Sequence, residues 1–279
     1  MQATNPLQQY FRQPAVYIRL PSGGKNYAPG TLNLSPTGEF AVFPMTAIDE
    51  ITYRTPDALY NGQATVNVIQ SCVPDIRNAW AVPSTDMDTL LVAIRVATYG
   101  HSMDFATTCP ACKVETEQTL DLRTVLDTMR PADYTRTVQT GDMEIFFQPL
   151  SYKNINDNNK MQFENQKLLQ NLPDNDLPDS DKVTALSDAL KKITEITIMA
   201  LSQSIAAIKT PQALVTEPEF IQDFLKNCDR QIFNQVRDFI IELKTNSEMP
   251  PLNLACPECS HAYSQSLTLD MTSFFGPAS

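Results

Sequence analysis

Four cysteines in two short motifs are the residues of this chain best suited to chemistry. Residues 109–112 and 256–259 share the pattern Cys-Pro-x-Cys. Two residues between paired cysteines is the usual spacing of structural zinc ligands, and two such pairs supply the four thiolates of a tetrahedral site. The pattern therefore predicts a structural zinc. Its predicted ligands are Cys109, Cys112, Cys256 and Cys259.

Three other uses of these cysteines fit the sequence less well. A redox Cys-x-x-Cys motif belongs between a strand and a helix, and neither motif has that setting. Residues 1–5 show neither the basic start nor the apolar segment of a secretory signal, so we expect a reducing compartment, where disulfides are rare. A catalytic zinc needs an open coordination position, which four thiolates do not leave.

The segments that follow the two motifs are similar to each other. Residues 113–122 and 260–271 both contain Thr-Leu-Asp followed by an apolar residue, and both are rich in strand-forming residues. They are predicted to be two halves of one zinc ribbon. The motifs lie 256 − 112 = 144 positions apart, so the intervening segment must be an insertion whose two ends return to the same place.

Composition restricts the class of protein. The chain has 279 residues, of which 42% are hydrophobic, which predicts a globular protein with a substantial core. No apolar run has the length of a membrane span. The net charge of −11 argues against nucleic acid as a main partner, because phosphate binding needs a basic surface. A zinc-ribbon regulatory or nucleic-acid-binding module is the alternative function, since many zinc ribbons bind nucleic acid.

The patterning before residue 150 predicts an α+β fold with small β elements and a helical N-terminal part. Residues 1–13 are polar and are predicted to be an arm. Strands are predicted at residues 14–20 and 38–44, and a hairpin at 135–147. Helices are predicted to start at Thr46, Thr55 and Ser84, and a further helix carries Ala64, Val68 and Cys72 on one face, which places Cys72 in the core.

Residues 151–250 are polar and helical in pattern, which predicts an inserted antiparallel helical module. A long amphipathic helix is predicted from Val183 through Ile205 and Ile208. Residues 216–219 read as a capping box for the next helix. The predicted organisation is an N-terminal domain at 1–150 with the first half of the ribbon, the helical insertion at 151–250, and the second half with a tail at 251–279.

The sequence offers no constellation for catalysis. His101 follows a predicted helix C-terminus, where a cation is favoured, and is expected at the surface. His261 lies two residues after Cys259 and could replace a cysteine on zinc, although four thiolates already suffice. No nucleophile has a candidate base nearby in the sequence. We therefore predict no catalytic residue, no enzymatic activity and no cofactor besides zinc.

Several blocks of the first half resemble the T4-type baseplate hub proteins of contractile-tailed bacteriophages. The blocks occur in the family's order within residues 14–122. They are residues 20–27, 43–50, 55–62, 72–76 and 86–100. Together these blocks are fairly specific, whereas any one alone is a weak signal. The helical insertion has no clear counterpart in the resemblance, and the zinc is an interpretation of this sequence rather than a family trait.

The resemblance implies a non-enzymatic structural or assembly component at the host-proximal end of a phage tail. Its implied partners are other baseplate proteins of the hub, the wedge or the tail tube, with several copies in a symmetric assembly. The implied location is the tail baseplate of the virion, after assembly in the host cytoplasm. Neither nucleic acid nor a membrane is an expected partner. Amphipathic helices and exposed aromatic side chains are expected to form the contact surfaces.

Overall fold

A computed structural model describes residues 5–53, 62–171 and 179–266. The chain forms two compact units. The first comprises residues 1–79, 85–130 and 248–279, and the second comprises residues 80–84 and 131–247. Both combine helices with small antiparallel sheets, so the predicted α+β class is confirmed.

The described residues contain eight α-helices and ten strands. The helices are α1 Ala47–Tyr53, α2 Gln63–Cys72, α3 Ser84–Tyr99, α4 Leu122–Thr128, α5 Tyr152–Asn171, α6 Asp179–Gln203, α7 Pro218–Asn227 and α8 Arg230–Ser247. The strands are β1 Val16–Ile18, β2 Phe40–Val42, β3 Ser102–Thr108, β4 Glu115–Asp121, β5 Thr137–Thr140, β6 Met143–Phe147, β7 Ile205–Lys209, β8 Leu214–Val215, β9 Leu252–Ala255 and β10 Ala262–Gln265.

Helices α2 and α3 supply much of the apolar core of the first unit. The predicted face of α2 is buried, and Cys72 at its end is fully buried as expected. Burial raises the pKa of the Cys72 thiol to about 12, so this residue is an inert part of the core. Helix α3 ends before Gly100, whose φ of 89° suits a residue without a Cβ.

Two polar side chains fix the N-terminal segment to this core. The Arg12 guanidinium donates to the carbonyl oxygens of Pro44 and Ser71, at 2.5 and 2.8 Å. Asp86 is fully buried and accepts hydrogen bonds from the Ser22 N–H at 2.9 Å and from the Tyr27 hydroxyl at 3.0 Å. The polar arm predicted at residues 1–13 is therefore anchored at its C-terminal end by Arg12.

The second unit contains an antiparallel sheet in the order β5-β6-β7-β8. The predicted hairpin is confirmed as β5 and β6. The prediction of a helix continuing through Ile205 and Ile208 is wrong, because α6 ends at Gln203 and β7 pairs with β6. The hydroxyls of Ser202 and Ser204 bond back to the carbonyls of Met199 and Ala200. Pairing with β6 then provides hydrogen-bond partners for the backbone N–H and C=O groups of β7.

Helices α7 and α8 pack on this sheet through one apolar cluster. Its buried members are Ala132, Ile145, Phe147, Leu201, Ile205, Ile208, Ile221, Leu225, Val236 and Leu243. Phe147 of β6 lies 4.7 Å from Phe239 of α8 between ring centroids, so α8 covers this strand. Residues 80–84 join the unit through the Pro83–Ser151 bridge and through Trp80, which stacks on Tyr152.

Helices α5 and α6 form an antiparallel pair in the same unit. The Asn158 amide donates to the Gln203 side chain at 3.0 Å, and the Asn165 amide donates to the Ala189 carbonyl at 3.2 Å. The seam between the helices therefore contains buried polar contacts as well as apolar ones. No helix among residues 5–53, 62–171 and 179–266 has the length and hydropathy needed to cross a membrane.

Three further predictions from the sequence concern helix starts and the second Thr-Leu-Asp segment. The helix start at Thr55 and the Thr-Leu-Asp at 268–270 lie outside the described residues. The prediction of a capping box at residues 216–219 is wrong. Helix α7 starts at Pro218, and the side chain of its N-cap residue Glu217 makes no capping hydrogen bond to the helix. The Glu217 carboxylate instead accepts from the N–H of Thr216.

Candidate metal centre

The two Cys-Pro-x-Cys motifs form the turns of two β-hairpins and have the same backbone geometry. Residues 109–112 connect β3 to β4, and residues 256–259 connect β9 to β10. In each turn the first cysteine's carbonyl accepts the N–H four residues on, at 3.0 Å from Lys113 and 2.9 Å from Ser260. Lys113 and Ser260 both have positive φ, 63° and 58°. The turns are thus two copies of one ligand-presenting knuckle.

The turns bring all four cysteine sulfurs to one point. The Sγ atoms of Cys109 and Cys259 are 3.7 Å apart, as are those of Cys112 and Cys256, and all four lie within 4.8 Å of one another. Zinc–sulfur bonds of about 2.3 Å in a tetrahedron place the sulfurs about 3.8 Å apart. A disulfide needs about 2.05 Å. The spacing therefore suits a tetrahedral thiolate site and not two disulfides.

Burial follows the same pattern in both turns. The first cysteine of each motif is buried, and the second is exposed. Each buried first cysteine also donates its own N–H across the turn, from Cys109 to the Val114 carbonyl and from Cys256 to the His261 carbonyl. The protein thus covers one side of the sulfur cluster and fixes the backbone that carries it.

The thiols differ in how readily they ionise. The N–H of Cys112 is the main cause that lowers the pKa of Cys109 to about 6. The N–H of His261 favours the Cys259 thiolate, but desolvation and the three neighbouring thiols outweigh it and raise the pKa of Cys259 to about 12. Four neighbouring thiols are difficult to ionise at the same time, because the resulting negative charges repel one another. A divalent cation at their centre would stabilise all four thiolates.

Side-chain contacts between the hairpins are concentrated at one threonine. The Thr107 hydroxyl of β3 lies 3.2 Å from the Tyr263 hydroxyl of β10 and donates to the Gln265 side chain. The β3-β4 and β9-β10 pairs are separate two-stranded sheets. Within the described part of the chain, the sulfur cluster and this threonine join the two hairpins without a shared backbone ladder.

The structure places the other candidates outside the cluster. His261 is exposed and stacks on Tyr263 at 6.5 Å between ring centroids, and the metal-binding group found among the described residues consists of the four cysteines. His101 is exposed, as expected, and its carbonyl accepts the N–H of Leu122. Sequence reasoning missed Thr107 because no local pattern relates it to a strand more than 150 positions away.

Comparison with protein-family models identifies a related family. The sequence model of a family described as "T4 bacteriophage base plate protein" matches residues 44–276, which is most of the chain. No curated protein and no solved structure matches. The matched residues begin at residue 44 and include helices α1 to α4, the helical segment at 151–250 and both cysteine motifs.

Proposed function

Because the chain belongs to the T4 bacteriophage base plate protein family, we propose that it is a structural component of the baseplate of a contractile phage tail that contacts hub, wedge or tail-tube proteins. The observation that carries this proposal is the family match, which extends across residues 44–276. The chain acts through protein–protein contacts and not through catalysis. Its location is the tail baseplate of the virion, which is assembled in the host cytoplasm.

The proposed cofactor is one structural zinc. Its ligands are Cys109, Cys112, Cys256 and Cys259. The sulfur spacing of 3.7 Å across the two motifs supports this assignment, because it matches the spacing in a tetrahedral zinc–thiolate site. The ion would hold the β9-β10 hairpin against the β3-β4 hairpin, and would thereby close residues 113–255 into a loop fixed at both ends.

The surface of the first unit supports a role in protein contacts. Leu7, Tyr10 and Phe11 are 60%, 76% and 56% exposed, directly before the anchored Arg12. Ile48 and Ile51 are 75% and 69% exposed on α1. Exposed apolar and aromatic groups at a fixed position are typical of protein interaction sites. We propose that these groups contact neighbouring baseplate proteins.

Mass spectrometry of purified virions and of tail assembly intermediates tests the proposed location. We expect the chain in tails at a fixed ratio to other baseplate proteins. Its absence from both virions and intermediates would contradict the proposal.

A phage encoding Cys256→Ser tests the role of the metal in the assembled particle. We expect fewer complete tails, because the β9-β10 hairpin would lose its attachment. Cys228→Ser is the matched control, since Cys228 is not a member of the sulfur cluster. Normal tails with Cys256→Ser would show that the metal centre does not serve assembly.

A further inference from the structure

The outer face of the β1-β2 sheet forms the floor of an open cleft in the first unit. Side chains alternate between the two faces of a strand, and Ile18, Phe40 and Val42 are buried on the inner face. Tyr17 and Ala41 are direct partners across the sheet, so both lie on the outer face. Tyr17 is 65% exposed. The small side chain of Ala41 thus leaves the neighbouring tyrosine ring accessible from solvent.

A tight turn and a segment around residue 75 form the walls of this cleft. The Gly38 N–H donates to the Ser35 carbonyl at 3.0 Å and closes the turn, and the Asn33 N–H donates to the Asp75 carbonyl at 2.8 Å. These backbone bonds hold the two walls together, which lowers the cost of ordering the cleft around a ligand. The cleft has a volume of about 420 Å³, and its walls include Asn33, Leu34, Ser35, Thr37 and Asp75.

Three polar side chains in the cleft have hydrogen-bonding groups that the fold does not use. They are the Tyr17 hydroxyl, the Asn33 amide and the Asp75 carboxylate, and none of them bonds to another residue that the structure describes. The hydroxyl and the amide both donate and accept, whereas the carboxylate only accepts. A ligand that matches this mixed set needs several groups that can each donate and accept a hydrogen bond.

The charges around the cleft disfavour an anionic ligand. Its two carboxylates belong to Asp75 and Glu39, and no lysine or arginine is among the described residues that line it. Glu39 is already paired with Arg19 at 3.2 Å. The whole chain carries −11, so phosphates and carboxylates are repelled. A simple cation would pair with Asp75 but would leave the Asn33 amide without a partner.

From the exposed aromatic ring, the unused donors and acceptors and the absence of a lining cation, we infer that this cleft binds a neutral saccharide. Sugar hydroxyls both donate and accept, so they match Asn33 and Asp75. The C–H face of a sugar ring is apolar and can pack on the ring of Tyr17. The volume lies within the range of small-ligand sites, about 300–1,000 Å³. The inference goes beyond the proposed baseplate role and does not depend on it.

Saturation-transfer NMR on the purified full chain tests this inference with glucose, galactose, mannose, N-acetylglucosamine and lactose. We expect binding of at least one sugar with a dissociation constant on the order of 1 mM, since an open cleft makes few contacts. Tyr17→Ala and Asp75→Ala should each raise this constant at least about tenfold. The fold is retained, because Tyr17 is exposed and the Asp75 carboxylate bonds to no described residue. The matched control is Tyr10→Ala, at a tyrosine that is 76% exposed and outside the cleft, and it should leave binding unchanged.

Other outcomes would overturn the inference. A chain that binds none of these sugars at about 100 mM contradicts it, and so does binding that neither cleft variant weakens. Tetramethylammonium and inorganic phosphate serve as charged probes, and binding of either one in the cleft without any sugar would reassign the cleft to that charge. A chain that binds sugar but is absent from tails would contradict the proposed function and leave this inference standing. A chain that is present in tails but binds no sugar would contradict this inference alone.

Discussion

The four-cysteine cluster and the second unit are stabilised in opposite ways. The β3-β4 and β9-β10 hairpins are separate sheets linked by the four sulfurs and by the hydrogen bonds of Thr107, so we expect their association to depend strongly on these few polar atoms. The second unit depends on ten buried apolar residues spread over its helices and sheet. A metal site loses its ion when one of its ligands is removed. A core of many apolar side chains instead loses stability in proportion to the apolar volume that is removed.

Removal of the metal is expected to have the largest effect, and to be confined to the hairpins. Structural zinc contributes about 10–16 kcal/mol of apparent binding free energy in small zinc-binding peptides. After treatment with a strong chelator, the amides of β9 and β10 should exchange hydrogen much faster, while those of α8 around Val236 and Leu243 keep their protection. Hydrogen exchange followed by mass spectrometry measures both. Equal loss of protection in the two regions would contradict the comparison.

Truncation in the distributed core should have an intermediate effect. Leu243 is 2% exposed in the apolar cluster, so Leu243→Ala should lower the free energy of unfolding of the second unit by about 2–5 kcal/mol. Zinc content should not change. Ile241→Ala on the same helix is the control, because Ile241 is 53% exposed and its truncation should cost less than about 0.5 kcal/mol. Loss of zinc in Leu243→Ala would show that the two regions are coupled.

Asp86 provides a polar anchor whose contribution depends on pH. Burial raises the pKa of Asp86, although hydrogen bonds from Ser22 and Tyr27 oppose this. The unfolded chain therefore releases this proton near its ordinary pKa of about 3.9, and the folded chain releases it at a higher pH. Between the two pKa values the folded state binds more protons, so this contribution to stability falls as pH rises and stays low at neutral pH.

Urea unfolding of the wild type and of Asp86→Asn over a series of pH values measures this effect. The free energy of unfolding of the wild type minus that of the variant should decrease as pH rises above about 4. Protonation of the four clustered cysteines affects both proteins alike and cancels in the difference. A difference that increases with pH would mean that hydrogen bonding, and not burial, controls this carboxyl group.

The contact at Thr107 is expected to have the smallest effect. Thr107→Val keeps the shape of the side chain but removes the hydrogen bonds to Tyr263 and Gln265, at a cost of about 1 kcal/mol. Competition with a chelator should then show zinc affinity reduced about fivefold. Thr119→Val is the control, because Thr119 bonds to Asp104 within its own hairpin. An unchanged affinity in Thr107→Val would show that the hydrogen bonds of Thr107 do not support metal binding.

The difference between local and long-range contacts explains which features could be predicted from the sequence. The cysteine motifs are local, since four residues determine each turn, and their strands follow directly in the sequence. The strand β7 could not be identified in this way. Ile205 and Ile208 fit a helical stripe as well as a strand, and the deciding partner of Ile208 is Ile145, which precedes it by more than 60 positions. Local patterns predict elements, whereas long-range pairing selects between them.

Polar anchors were the least predictable feature. Arg12 finds its acceptors at Pro44 and Ser71, and Asp86 finds its donors at Ser22 and Tyr27. No spacing rule connects such residues, because each pair is separated by tens of positions in the sequence and meets only in the folded chain. The roles of Arg12, Asp86 and Thr107 emerge only once the fold is known.

Elemental analysis of zinc per chain, on the wild type and on Cys256→Ser, tests the central claim most directly. Cys228→Ser serves as the control for loss of a cysteine outside the cluster. We predict one zinc per chain in the wild type and in the control, and none in Cys256→Ser, together with a lower melting temperature. Absence of zinc from the wild type, or retention of zinc in Cys256→Ser, would contradict the claim that the two distant motifs share one ion.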